Sequence, residues 1–321
     1  MLSLGCRPEQ AREDVSNALE QCLSNQCDAV LAIGGGSVLD AAKVVAMTVT
    51  NGNKPEALVG MMKGKNKPLP FYCIPTTSGT GSEVTIVSVI KDAENHQKQF
   101  IVDPNLVPKA AALDPILLAS MPPAITAMTG MDALTHAIEA YLSLNSTQTT
   151  EQLAIDAMQL ILKNLPVAFG DGANLPARES VALGAYKAGV AFTNSSLGYV
   201  HAISHQLGGT YGVPHGLGNA ILLPKVLRFS LPKVINRLAK LSKQLNIGTS
   251  EMIPEERALA FIEYVEDLNA SLLIPNVVRE LQQDDIPHIA NLAYKEAIYS
   301  YAVPKFMSTG DCEKLLLQCL A

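Results

Sequence analysis

The sequence predicts a parallel, Rossmann-like α/β sheet domain followed by an all-helical domain. Three observations carry this. Short apolar runs, the first of them ending in glycines, alternate with helical periods over the first third of the 321 residues. From Ser120 onward, β-branched runs give way to long segments of helical period. Between these regimes lies Pro122–Pro123, which suits a boundary. Strands that alternate with helices indicate an α/β layer with mainly parallel pairing. The expected domains are therefore 1–122 and 123–321.

Taken in order, Arg12 to Gln26 carries apolar residues at helical spacing. "DAVLAIGGG" (Asp28 to Gly36) is a short apolar run closed by glycines, which reads as a buried strand. Ser37 to Thr50 is helical again, and "PLPFYCIPTT" (Pro68 to Thr77) is a second buried strand. Val84 to Asp92, Lys98 to Asp103 and Ala110 to Asp114 are further strand candidates. The helical region then reads as Ile125 to Leu144, Thr149 to Asn164, Ala177 to Ala191, Tyr199 to Gly208 and Leu231 to Leu245. Glu255 to Leu268, Pro287 to Glu296 and a closing helix from Thr309 complete it.

Composition narrows the function. Hydrophobic residues make up 48%, enough for a sizeable core. Charged residues are only 17% and the net charge is −6, which argues against a nucleic-acid surface, because phosphate binding needs clustered Lys and Arg. "KGKNK" (Lys63 to Lys67) reads as a solvated loop. The cysteines Cys6, Cys22, Cys27, Cys73, Cys312 and Cys319 form no C-x-x-C pair and imply neither a disulfide scaffold nor a structural zinc site. No basic segment followed by an apolar one opens the chain, and no uncharged apolar run reaches the roughly 18 residues of a membrane span. The expectation is a cytoplasmic enzyme with no membrane partner.

Two loops have the chemistry of a nucleotide site. In "LAIGGGSVLD" a strand, three glycines and a serine lead into a helix. Glycines let backbone approach an anion, and the helix N-terminus offers unpaired N–H groups. Ser37 is expected at the N-cap, where its hydroxyl could also reach a phosphate. The pattern is neither G-x-G-x-x-G nor a P-loop. "IPTTSGTGSEVT" (Ile74 to Thr85) adds a second loop of hydroxyls and glycines at a strand's carboxyl end, where open α/β sheets bind ligands.

The histidines point to a metal. His201, His205 and His215 are half of the chain's six. His201 and His205 lie four apart on an expected helix, and His215 follows in a "PHG" turn. Asp132 and His136 in "MTGMDALTHAIEAYLS" are also four apart, so they share a helix face. Singly, Asp132 would be a surface charge and His136 a core histidine. Together, an aspartate and two or three histidines can hold Fe(II), Zn(II) or Mn(II), with room left for substrate. His96 and His288 fall in polar, loop-like contexts without a role.

"GGGSVLDAAK", "PTTSGTGSEVT", "MTGMDALTHAIEAY" and "VHAISHQLGGTYGVPHGLGNAILLP" together resemble the iron-containing (group III) alcohol dehydrogenases. The resemblance is close from about Asp28 to Pro224 and looser beyond. It implies a dehydroquinate synthase-like architecture with the metal in the cleft between domains. It implies Asp132, His136, His201 and His215 as ligands to Fe(II), with Zn(II) as a substitute. His205 becomes a proton relay near substrate rather than a ligand. Gly35, Gly36 and Ser37 would contact the pyrophosphate of NAD or NADP. Asp40, Thr76, Thr77, Ser78, Thr85, Val89 and Lys98 match cofactor-lining positions, with Lys98 reaching the nicotinamide ribose. The implied reaction is hydride transfer between a small alcohol or aldehyde and NAD(P), in a homodimer or larger homo-oligomer.

The resemblance departs in two places. Family members usually carry a further strand–helix–strand before the segment where this chain begins, including an acidic residue that can bind the adenosine ribose. A cofactor domain short at its N-terminus is expected, with one side of the sheet exposed and the NAD-versus-NADP residue missing. Gln206 stands where many members have proline. Three alternatives stay open: a hydroxyacid–oxoacid transhydrogenase on the same fold, a lyase of the dehydroquinate synthase type, and a non-catalytic truncated member.

Overall fold

The structure is a computed structural model that describes residues 11–52, 54–91 and 98–321. It opens with helix α1 (Ala11–Ser24), strand β1 (Val30–Gly34) and helix α2 (Gly36–Thr50). Strands β2 (Gly60–Met61), β3 (Phe71–Pro75), β4 (Val87–Lys91), β5 (Lys98–Val102) and β6 (Ala110–Ala111) follow, then the short helix α3 (Pro115–Leu118).

β1, β3 and β6 form a parallel sheet in the order β1-β3-β6, with Val30 opposite Phe71 and Gly34 opposite Pro75. Both glycine loops therefore leave neighbouring strands at the same end. β4 and β5 depart from the expected single layer: they pair antiparallel and join β2 in a second small sheet, where β2 and β5 are parallel. Only residues 92–97 separate β4 from β5. A parallel crossover needs a dozen or more residues, so this link permits only the antiparallel pair. One face of the first sheet exposes Leu31, Ile33 and Tyr72.

α2 is fastened to β4 by buried polar groups. The Lys43 ammonium donates to the Thr85 carbonyl and hydroxyl, each at 2.9 Å, and to the Val87 carbonyl at 2.8 Å. Three acceptors saturate its three donors, which allows a lysine that is 1% exposed. Asp40 accepts from the Val89 N–H at 2.9 Å, and the Ser88 hydroxyl donates to the Asp40 carbonyl at 2.9 Å.

The rest of the chain is helical: α4 (Pro123–Leu142), α5 (Gln148–Gly170), α6 (Leu175–Thr193), α7 (Tyr199–Tyr211), α8 (His215–Gln244), α9 (Pro254–Ser271), α10 (Ile286–Ser300) and α11 (Thr309–Leu317). α4 is the central rod. Fifteen of its residues, Thr126 and Met131 to Leu142 among them, are buried, and it packs on α5, α6 and α8. One hydrophobic cluster runs from Ala127 to Cys319, whereas two smaller clusters serve the sheets and α1–α2. α5 is long and apolar enough to cross a membrane by length and composition. Here its apolar face packs against α4 and α6.

Candidate metal and nucleotide site

The two glycine loops adjoin. The Thr76 N–H donates to the Gly34 carbonyl at 2.9 Å. A Cβ on Gly35 would lie 3.3 Å from Thr77, and one on Gly36 would lie 2.7 Å from Thr80. Gly35, not the expected Ser37, occupies the N-cap of α2 and supplies no side-chain cap. The N-cap falls two residues earlier than expected because glycine adopts the extended N-cap backbone as readily as serine. The N–H groups of Gly36 and Ser37 are thus left as the uncapped donors of a helix N-terminus, which favours an anion. Thr76 and Thr77 are half-buried beside them, and Ser78 has a buried hydroxyl with no hydrogen-bond partner. Asp40, Thr85 and Val89 stand further along, with polar atoms engaged in the α2–β4 contact. Lys98 begins β5, and its side chain lies outside the described residues, as does His96.

The second loop reaches the helical region through Gly79. An added Cβ there would sit 2.6 Å from the Thr129 carbonyl on α4, so only glycine allows this approach. The Gly79 carbonyl lies 3.2 Å from His136 Nδ1.

α4 presents Asp132 and His136 one turn apart; α7 brings His201, and α8 brings His215 as its first residue rather than in a turn. One donor atom from each of these four residues lies within 4.8 Å of the others. Asp132 Oδ1 is 3.8 Å from His136 Nε2, 3.8 Å from His201 Nε2 and 3.6 Å from His215 Nε2. These separations are too long for hydrogen bonds. They fit donors around a common ion, since bonds of about 2.0–2.2 Å place ligand atoms roughly 3–4 Å apart.

The surroundings set the tautomers that an ion held here would require. His201 Nδ1 is 2.6 Å from Glu139 Oε2. Glu139 also accepts from the Gly198 N–H at 2.9 Å and the Val200 N–H at 2.8 Å. With Nδ1–H given to Glu139 in one ring and to the Gly79 carbonyl in the other, both Nε2 lone pairs face Asp132. Burial, the largest influence, lowers the His136 pKa to about 4, so its imidazole is neutral at ordinary pH. Its ring stacks on Phe192 at 4.4 Å and on His201 at 4.6 Å. The His215 side chain is 30% exposed, which leaves the set open on one side, as a catalytic ion needs.

His205 lies beside this set. Its ring stacks on His215 at 5.1 Å, and Phe100 of β5 stands 5.5 Å away. It therefore sits where the helical region faces the second sheet.

The family descriptions "Iron-containing alcohol dehydrogenase" and "Fe-containing alcohol dehydrogenase family, C-terminal" match residues 3–115 and 126–320. The chain belongs to the iron-containing alcohol dehydrogenase family. It is 46% identical over 238 residues to the probable alcohol dehydrogenase EutG of Escherichia coli, covering 74% of this chain and 60% of that protein. It thus matches less than two thirds of that relative's length. A crystal structure of a 1,3-propanediol oxidoreductase superposes with a TM-score of 0.93 at 34% identity, over 98% of this chain and 82% of that one. A sulfoacetaldehyde reductase from Bifidobacterium kashiwanohense, in complex with NAD+, does so with a TM-score of 0.89 at 28% identity, over 98% and 81%.

Other residues of this family member shape the site without having been apparent in its sequence. Glu139 lies one turn beyond His136 on a helix that is otherwise apolar there, and that spacing was the available signal. Asn219, four residues after His215, is fully buried and donates through Nδ2 to Asp132 Oδ1 at 2.7 Å. Glu296, which meets His205 Nδ1 at 2.6 Å, comes from α10 and has no local signal.

Proposed function

We propose that this chain is a metal-dependent, NAD(P)-linked alcohol dehydrogenase or aldehyde reductase for a small alcohol or aldehyde. The observation that carries the reading is the convergence of Asp132, His136, His201 and His215, with His136 tied to the second glycine loop. A divalent ion held by those four residues would supply Lewis acidity to a substrate oxygen, and NAD(P) would supply the hydride acceptor or donor. Iron is the expected ion and zinc a workable replacement.

The protein's own part is orientation and proton handling. The N–H groups of Gly36 and Ser37, with Gly35 beside them, bind the cofactor pyrophosphate. Thr76, Thr77 and Ser78 line the next stretch of the cofactor, with Asp40, Thr85, Val89 and Lys98 further along it. Glu139 and the Gly79 carbonyl keep the Nε2 atoms of His201 and His136 unprotonated and aimed at one point. His205, outside the four-donor set, takes the hydroxyl proton at Nε2 during oxidation and returns it during reduction.

The test is anaerobic reconstitution with Fe(II), followed by NAD+- and NADP+-dependent oxidation of a panel of small alcohols. His201→Ala and His215→Ala should lose the metal. His205→Ala should keep it while turnover falls roughly a hundredfold or more. Metal loss from His205→Ala with retention by His201→Ala would reverse the two roles. A wild-type protein that binds metal and nucleotide but oxidises no alcohol and reduces no aldehyde would defeat the reading.

A further inference from the structure

Glu296 is brought beside His205 from α10, about ninety residues further along the chain. His205 Nδ1 lies 2.6 Å from Glu296 Oε1. The same oxygen accepts from the Tyr301 hydroxyl at 2.7 Å, and Oε2 accepts from Gln206 Nε2 at 2.8 Å. Three donors therefore fix one carboxylate in place. Burial and the neighbouring carboxylate hold the Tyr301 phenol well above its usual pKa, so it remains a neutral donor. A carboxylate that accepts from Nδ1–H selects one imidazole tautomer and one ring orientation. The opposite nitrogen, Nε2, then points away from α10.

We propose that Glu296 is the positioning residue for His205, and that Gln206 and Tyr301 form the clamp that holds Glu296. Glu296 keeps the His205 proton on Nδ1, so Nε2 presents a lone pair to the substrate hydroxyl. The mechanistic value of this arrangement rests on the dehydrogenase reading above; the arrangement itself can be tested without it.

The experiment uses full-length protein labelled with 15N-histidine and loaded with diamagnetic Zn(II), the His205 resonances being assigned by difference from His205→Asn. The wild type should show neutral His205 with its proton on Nδ1. Glu296→Leu should convert this to a mixed-tautomer signal and lower kcat roughly ten- to a hundredfold. Zinc content and the KM for cofactor should stay within about twofold. Glu296→Gln keeps a carbonyl acceptor toward His205 and Tyr301, and Gln206, unlike the backbone donors around Glu139, can turn its own amide oxygen to the new N–H, so both the tautomer and most of kcat should be restored. Tyr301→Phe, a milder change that keeps the core filled, should shift both readouts in the same direction by less. Nδ1 found unprotonated in the wild type, or a His205 signal and kcat unmoved in Glu296→Leu and Tyr301→Phe alike, would overturn the proposal. If wild-type protein turns over no alcohol while His205 holds its proton on Nδ1, the dehydrogenase reading falls and the positioning of His205 stands.

Discussion

Glu139 does for His201 what no member of the four-donor set can do for itself: it decides which nitrogen carries the proton. It has few alternative partners, being 8% exposed and already accepting from two backbone N–H groups at the start of α7. Glu139→Gln keeps the shape but can turn an N–H toward His201, which would favour the wrong tautomer. Zinc affinity should fall about ten- to a hundredfold, measured by competition with a chromophoric chelator. An unchanged affinity would mean that the pair serves only to pack α4 against α7. The two i,i+4 pairs, in a chain with six histidines, made Asp132, His136 and His201 legible, and the "PHG" motif added His215; only the family resemblance set His205 apart from them. Their partners were not legible, since a hydrogen bond between helices leaves no periodic trace in the sequence.

Close approach between elements depends on very few atoms. Gly81 has a φ of +65°, and an added Cβ would meet Gly189 Cα of α6 at 2.9 Å. Both features penalise a side chain, so Gly81→Ala should destabilise by about 1–3 kcal/mol in chemical denaturation. Gly209, exposed near the end of α7 with nothing within 4 Å of its added Cβ, is the control. Gly209→Ala should be neutral or stabilising by up to about 1 kcal/mol. Equal effects at the two sites would refute the contact argument. Helix existence was readable from apolar period, but helix ends near proline were not. The sequence suggested an end to α5 at Asn164 and a late start for the helix beginning at Leu231. α5 instead continues through Pro166, and α8 runs through Pro224 and Pro232. An interior proline costs about 3 kcal/mol. Burial of Leu222, Leu223, Leu227 and Leu238 along α8 outweighs that cost. The antiparallel β4–β5 pair was missed for a different reason: apolar runs identify strands but do not state their direction.

Across the molecule, pH acts through the neutral histidine at the centre. Above the ordinary imidazole pKa of about 6.5, His136 is uncharged in both the folded and the unfolded chain. Between there and about 4, the unfolded chain takes up a proton that the folded one refuses. Metal-free protein should therefore lose stability as pH falls through this window, by at most roughly 3 kcal/mol from this group. Urea midpoints at pH 7.5 and 5 should differ more for wild type than for His136→Gln. The same pH dependence in both proteins would assign the effect elsewhere.

All four candidate metal donors belong to α4, α7 and α8, while the uncapped N–H groups of α2 belong to the sheet side of the molecule. Under the proposed function, the metal and the nicotinamide cofactor would thus be held by different parts of the molecule. On that reading, nucleotide could leave without breaking any bond to the ion, so cofactor should exchange at every turnover while the same ion is kept throughout.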